Sequence, residues 1–319
     1  MPDTHFDAII VGGGAAGLSA AQALGRSLRR TLVIDAGEPR NRFASRMHNV
    51  LGNDGVTPAD LLERGRSEAA AYGVEFAAGN VAVVRDRGSH LEVELAASGT
   101  PAAPQPTALT TRALVVASGV HDDLPSIPGL AQYWGSTVLH CPYCHGWEVR
   151  GGKLAVLATS PASIHQVMLL RQWSDDVTVF GAALGDLEAD TKRALLARGM
   201  RIVNEPVTEV IGDDARVTGV RTADGAHHDI DAIFTMSKVQ PRDSYLGELE
   251  LARAEGPFGS FLAVDATGRT SHNRVWAVGN VSAPMAAVPM VMGAGAGAGG
   301  AINFALLEED FALAVQDAR

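Results

Sequence analysis

The chain has 319 residues, room for about two domains of ordinary size. With 46% hydrophobic and 19% charged residues it has the composition of a globular protein with a sizeable core. A net charge of −10 excludes the basic footprint of a nucleic-acid binder, and two cysteines are too few for a disulfide-stapled scaffold.

The first residues include Asp3 and Asp7 and no basic run, so no signal peptide is expected and a cytoplasmic chain is. Residues 6–11 read as a short apolar strand, residues after 14 as a helix to about 28, and 31–34 as a second strand, which is a βαβ unit. Between strand and helix lies Gly12-Gly13-Gly14-Ala15-Ala16-Gly17, and Asp35 ends the second strand. This is the setting a dinucleotide fingerprint needs: Gly12 for the tight turn, Gly14 for close approach of the pyrophosphate, Gly17 for helix–strand packing. The N–H groups that open the helix, from Ala15 and Ala16, face the phosphates, and Asp35 is placed to bind a ribose hydroxyl. The competing reading is the same turn with no ligand.

Further along, 61–72 reads as a helix, 81–84 and 91–95 as strands, 98–111 as a loop, and 113–117 as a buried strand ended by Ser118-Gly119. A second βαβ unit is expected at 153–157, 163–173 and 177–180, followed by strands at 202–209, 217–222 and 230–235. A last strand at 275–278 leads into Gly279-Asn280 and a helix rich in glycine and alanine. Repeated βαβ units imply parallel sheets covered by helices. Residues 275–307 carry no charge and are long enough to cross a bilayer, but the run of glycine and alanine at 293–300 is poor in large apolar side chains. A helix buried beside a cofactor is expected there, and no membrane partner. The fingerprint alone leaves FAD and NAD open. Ala117-Ser118-Gly119 and Gly279-Asn280 favour FAD, because the latter sets a polar side chain near a ribitol and a helix dipole near a reduced flavin.

Both cysteines sit in His140-Cys141-Pro142-Tyr143-Cys144-His145. Thiols at this spacing can close into a disulfide, and a helix start lowers a thiol pKa. A metal site is the weaker reading, because adjacent ligands rarely share one tetrahedron, so no metal is expected; a merely structural pair is the other alternative. His145 is the candidate acid–base group beside the thiols, against the plainer reading of a loop histidine, and His140 is a lesser candidate.

In these motifs, taken with Asn49-Val50-Leu51-Gly52, the chain resembles the low-molecular-weight thioredoxin reductases over its whole length. The resemblance implies an α/β fold of two Rossmann-like, three-layer domains. Residues 1–118 and 245–319 would bind FAD, and 119–244 would form an inserted NAD(P)-binding-like domain carrying the CxxC. It also implies a homodimer, with Cys144 against the flavin, Cys141 facing substrate and Asn49 near the isoalloxazine. Further FAD contacts are expected at Ala36, Arg42, Val81 and Val288.

The departures are informative. Where those reductases carry a second glycine fingerprint for NADPH, this chain has Ala158, Ser160 and Ser163, with Pro161 removing a backbone donor. Where they carry a basic cluster for the 2′-phosphate, it has Phe180-Gly181-Ala182-Ala183. The usual aspartate after the second cysteine is His145, Asn280 stands where aspartate is usual, and Ala287-Val288-Pro289 replaces an Arg-Gln-Ala near the flavin. Cys141 to Glu148 is similar to the dithiol oxidases of gliotoxin and holomycin biosynthesis, which oxidise a small dithiol with oxygen and no NADPH. Three functions are therefore carried forward: a small-molecule dithiol oxidase, a reductase of a thioredoxin-like protein fed by NADPH or ferredoxin, and a flavin-binding protein that is not an enzyme. Tyr133, Trp134, Tyr143 and Trp147 are either substrate-pocket or packing residues.

Overall fold

Alternating side chains along His5–Val11 fill two separate cores, which is why that strand sits mid-sheet. Phe6, Ile9 and Val11 face one side, and Ala8 and Ile10 the other. The computed structural model describes residues 4–97 and 108–318 and resolves into two compact units. One comprises Met1–Arg42, Ala59–His121 and Val239–Arg319; the other comprises Phe43–Pro58 and Asp122–Lys238. The sequence placed the divisions after 118 and 244 and assigned Phe43–Pro58 to the FAD domain, whereas that segment groups with the inserted unit.

The first unit has a seven-stranded sheet. Glu75–Ala78, Thr31–Asp35, His5–Val11 and the C-terminal part of Ala108–Val116 run parallel, with Val275–Ala277 paired parallel to Leu114, Val115 and Val116. Along its other edge, the N-terminal part of Ala108–Val116 pairs antiparallel with Leu91–Leu95, which pairs with Val81–Asp86. The loop expected at 98–111 is therefore strand from Ala108 onward; 98–107 lie outside the described residues.

One face of this sheet carries Ala15–Arg26 and the 30-residue helix Val288–Asp317. The two helices pack through small residues. A Cβ on Gly295 would run into the Ala16 carbonyl oxygen, and one on Gly299 would lie 2.7 Å from Ala23 Cβ. The glycine–alanine run is thus a close helix contact. Val288–Asp317 is long and apolar enough to cross a membrane, yet its buried stripe of Val291, Gly295, Ala298, Gly299, Ile302 and Leu306 belongs to this core. Gly295→Val should destabilise the unit by about 3 kcal/mol or more, since a backbone carbonyl cannot give way as a side chain can; urea unfolding measures it.

The second unit has a five-stranded parallel sheet, in the order Arg201–Val203, Val177–Phe180, Leu154–Leu157, Ala232–Thr235 and Val138–Leu139. All four residues of Leu154–Leu157, Val177–Phe180 and Ala232–Thr235 are buried. An antiparallel sheet of Val207–Gly212, Val217–Thr222 and His227–Asp229 adjoins it. The single strand expected at 202–209 is two strands, split before Pro206, which has no N–H to continue a ladder.

Candidate flavin turn and dithiol site

In the first unit the parallel strands end side by side, Val11 opposite Ile34 and Val116, and Val116 opposite Ala277. Ligands of open α/β sheets bind at such carboxyl ends. The register gathers the turn Gly12–Gly17, Asp35, Ala117 and Gly279 at one edge. Gly12 has φ +109°, and a side chain there would strike the Ala117 carbonyl. A Cβ on Gly17 would strike the Gly12 carbonyl, and one on Gly279 would lie 3.0 Å from Ala16 Cβ. Gly14 is different. It opens the helix Ala15–Arg26, no side chain caps that helix, and nothing lies within 4 Å of where its Cβ would be. A clear space in front of uncapped N–H groups is the cradle a pyrophosphate requires, so these residues fit FAD.

Asp35 is more engaged than its position in the sequence indicated. Gly13 N–H donates to one carboxylate oxygen at 3.1 Å, and Arg66 pairs with the other at 2.8 Å. Arg66 also lies over the Phe76 ring, 4.9 Å from its centroid. Nothing in local sequence pointed to it, because it comes from Pro58–Ala71, far along the chain. Ala36 and Arg42 are exposed just beyond Asp35, and Val81 opens its strand, partly packed on the core. The Ser118 hydroxyl donates to the Arg242 carbonyl at 2.6 Å, and the Gly119 carbonyl accepts from Arg242 N–H. These residues tie the returning chain to the sheet. Asn280 donates through its amide to the Ala283 and Ala286 carbonyls, both at 3.0 Å, and so shapes the turn before Val288.

In the second unit, Cys141 immediately precedes the single helical turn Pro142–His145, and the two sulfurs stand 2.8 Å apart in the reduced pair. One turn carries little macrodipole, so the thiol activation expected from a helix start is small. A hydrogen bond with Cys141, and then burial, push the Cys144 thiol well above the ordinary range. It is a thiol at neutral pH and needs a base to release its proton. Burial holds the His145 imidazole below its usual pKa, so it is neutral at pH 7 and able to accept. Among the described residues there is no group of three or more His, Cys, Asp or Glu placed to bind a metal.

The dithiol turn rests on the helix Ile164–Leu170 and the residues after it. The buried Gln166 donates to the His140 carbonyl at 2.7 Å. The Tyr143 ring meets Trp173 edge-on at 6.0 Å, and a Cβ on Gly146 would lie 2.7 Å from the Trp173 ring. Tyr133 is a core residue whose hydroxyl donates to the Asp213 carbonyl, and Trp134 packs against the same core. Tyr143 and Trp147, by contrast, are exposed beside the thiols. Asn49 lies in the loop of Phe43–Pro58, with φ +62° and its N–H held by Asp54.

The second strand–helix turn is closed upon itself. Ser163 is fully buried and its hydroxyl accepts from Thr159 N–H at 3.1 Å, while Thr159 donates to the Met236 carbonyl. Pro161 starts a 3-10 turn before the helix, so the first N–H groups are not presented as they are at Gly14.

Two such units, one with a flavin-type turn and one with a reducible cysteine pair, define an FAD-dependent disulfide oxidoreductase related to thioredoxin reductases. The chain matches the pyridine nucleotide-disulphide oxidoreductase family over residues 6–298 and belongs to it. It is 30% identical to thioredoxin reductase tcpT of Claviceps purpurea over 95% of both chains. Its structure superposes on the crystal structure of HlmI with a TM-score of 0.89 at 40% identity, covering 98% of this chain and 96% of that one. An oxidoreductase from Agrobacterium tumefaciens gives 0.86 at 37% identity, covering 95% and 99%.

Proposed function

We propose that the protein oxidises a small-molecule dithiol to its disulfide and that its electrons leave to oxygen without NADPH. The observation that carries this reading is the contrast between the two strand–helix turns: an open cradle at Gly14, and a turn plugged by Ser163 and Pro161 where NADPH phosphates would lie. Starting from the Cys141–Cys144 disulfide, a substrate thiolate attacks Cys141 and frees Cys144; the second substrate thiol then displaces Cys141, which releases the substrate disulfide and leaves the enzyme pair reduced, and the neutral His145 imidazole receives the proton that Cys144 gives up when that pair closes again. FAD, when bound, supplies the two-electron acceptor for the pair. Gly12, Gly14, Ala15, Ala16, Gly17 and Asp35 would hold its pyrophosphate and ribose, with Ala36, Arg42, Asn49, Val81, Ala117, Gly119, Gly279, Asn280 and Val288 completing the contacts. The exposed Tyr143 and Trp147 favour a small apolar dithiol, in a cytoplasmic homodimer.

The name of the relative tcpT favours a second reading, reduction of a thioredoxin-like protein, for which the closed turn would require a donor other than NADPH. Oxygen consumption separates them. The oxidase gives one hydrogen peroxide per dithiol oxidised in air, and NADPH neither substitutes for the dithiol nor accelerates the reaction. NADPH-dependent reduction of a thioredoxin, with no peroxide from dithiols, would overturn the proposal.

A further inference from the structure

Exchange at a cysteine pair needs the substrate sulfur to approach in line with the sulfur–sulfur bond, so the direction in which Cys141 points matters as much as its reactivity. Two features of the backbone set that direction. Pro142 restricts Cys141 itself, since a residue before proline is held in extended backbone, and Cys141 has φ −115° and ψ 112°. What remains is the plane of the peptide that joins His140 to Cys141, which carries the His140 carbonyl. His140 lies between the end of the strand Val138–Leu139 and Cys141, so neither strand nor helix fixes that plane. The Gln166 amide does. It donates to the His140 carbonyl at 2.7 Å from a side chain only 5% exposed. Its helix, Ile164–Leu170, is held against rolling because Val167 and Leu170 are fully buried in the core of the second unit. The half of the turn that carries Cys144 is backed differently, by the Trp173 ring behind Gly146 and Tyr143.

The choice of residue at 166 is itself informative. The Gln166 amide oxygen is buried with no hydrogen-bond partner among the described residues. The amide cannot turn over to improve this, because two oxygens would then face each other at the His140 carbonyl. A methionine would fill the same space and bury no unpaired oxygen. Packing therefore does not account for the glutamine, whereas the bond to His140 does.

We propose that Gln166 is a positioning residue for thiol–disulfide exchange: through the His140 carbonyl it aims Cys141 at the incoming sulfur and at Cys144. It acts on the peptide before Cys141 and not on a sulfur. With the amide in place the pair closes and opens from one backbone geometry; without it the His140–Cys141 peptide turns freely, and fewer encounters are in line. The inference rests on the exchange at Cys141 put forward above, and on neither the direction of the overall reaction nor its final electron acceptor.

The test uses the FAD holoenzyme without air, in glutathione buffers of graded reduced-to-oxidised ratio, with the thiol state of the pair trapped by iodoacetamide and read by mass. Closing the pair forms the Cys141–Cys144 bond, breaks the glutathione disulfide and leaves both electrons and both protons on two glutathione thiols. The rate of opening is read separately by quenched reaction of the oxidised pair with dithiothreitol. Gln166→Met removes the donor and keeps the length; Gln166→Asn keeps the amide but is one methylene short of the carbonyl. Both should open about tenfold more slowly and close with an equilibrium constant about tenfold lower, a rise of about 30 mV in the potential of the pair. Val179→Ala, a core change on another strand of the same unit, should lower the urea midpoint and leave rate and potential at wild-type values. Wild-type rate and potential in both Gln166 variants would overturn the proposal. So would an equal shift in Val179→Ala, the mark of a merely structural role. A wild-type pair that stays reduced in every buffer would overturn the exchange reading and this inference together, whereas a cycling wild type with unmoved variants overturns the inference alone.

Discussion

Cys141→Ser should abolish turnover, by about a thousandfold or more, while the protein stays yellow. Serine keeps the shape of the residue before Pro142–His145 but offers no thiolate for exchange with a substrate sulfur. The turn Gly12–Gly17 belongs to the other unit, so cofactor content should match wild type. Activity with a small dithiol and the ratio of flavin to protein absorbance are the two readouts. Cys144→Ser should be equally inactive, because the internal disulfide cannot form. Retained turnover in Cys141→Ser would remove that sulfur from the exchange.

Gly14→Val should yield folded, colourless protein with FAD content reduced at least about tenfold. The structure makes this a clean experiment. Gly14 has φ −76°, which valine tolerates, and the new side chain meets no protein atom within 4 Å at Cβ. It grows instead into the space where phosphate oxygens must reach helix N–H groups. Gly17→Val would be uninformative, because its Cβ collides with the Gly12 carbonyl and would disturb the turn itself. A Gly14→Val protein that retains a full complement of flavin would show that the pyrophosphate lies elsewhere.

The residues that announced themselves in the sequence are those whose role is set by near neighbours. Gly12, Gly14 and Gly17 could be read because tight turn, close approach and helix packing are local demands, and Asp35 because it ends the next strand. The failure of the second turn was legible for the same reason, at Ala158, Ser160, Pro161 and Ser163. What sequence could not supply were contacts between distant segments. Arg66 reaches Asp35 across 31 positions, and His48 reaches Glu148 from a loop that groups with the other unit, against the expected domain division. Ser118 and Asn280 were read as cofactor groups from their place at strand ends; their hydrogen bonds to the Arg242 and Ala283 carbonyls were not legible there. The hairpin Arg253–Gly256 with Gly259–Leu262 was missed because its first strand is wholly exposed and carries no apolar alternation. The helix Ala189–Ala197 was missed for a related reason, burying only Leu195.

The account depends on electrons entering the flavin from thiols and not from a nicotinamide. Anaerobic titration of the purified yellow protein measures this directly through its visible absorbance. A small dithiol should bleach the flavin within about two equivalents, since the Cys141–Cys144 pair and the flavin each take up two electrons, and NADPH in excess should leave the spectrum unchanged on the same timescale. Rapid bleaching by NADPH with no response to dithiols would contradict it.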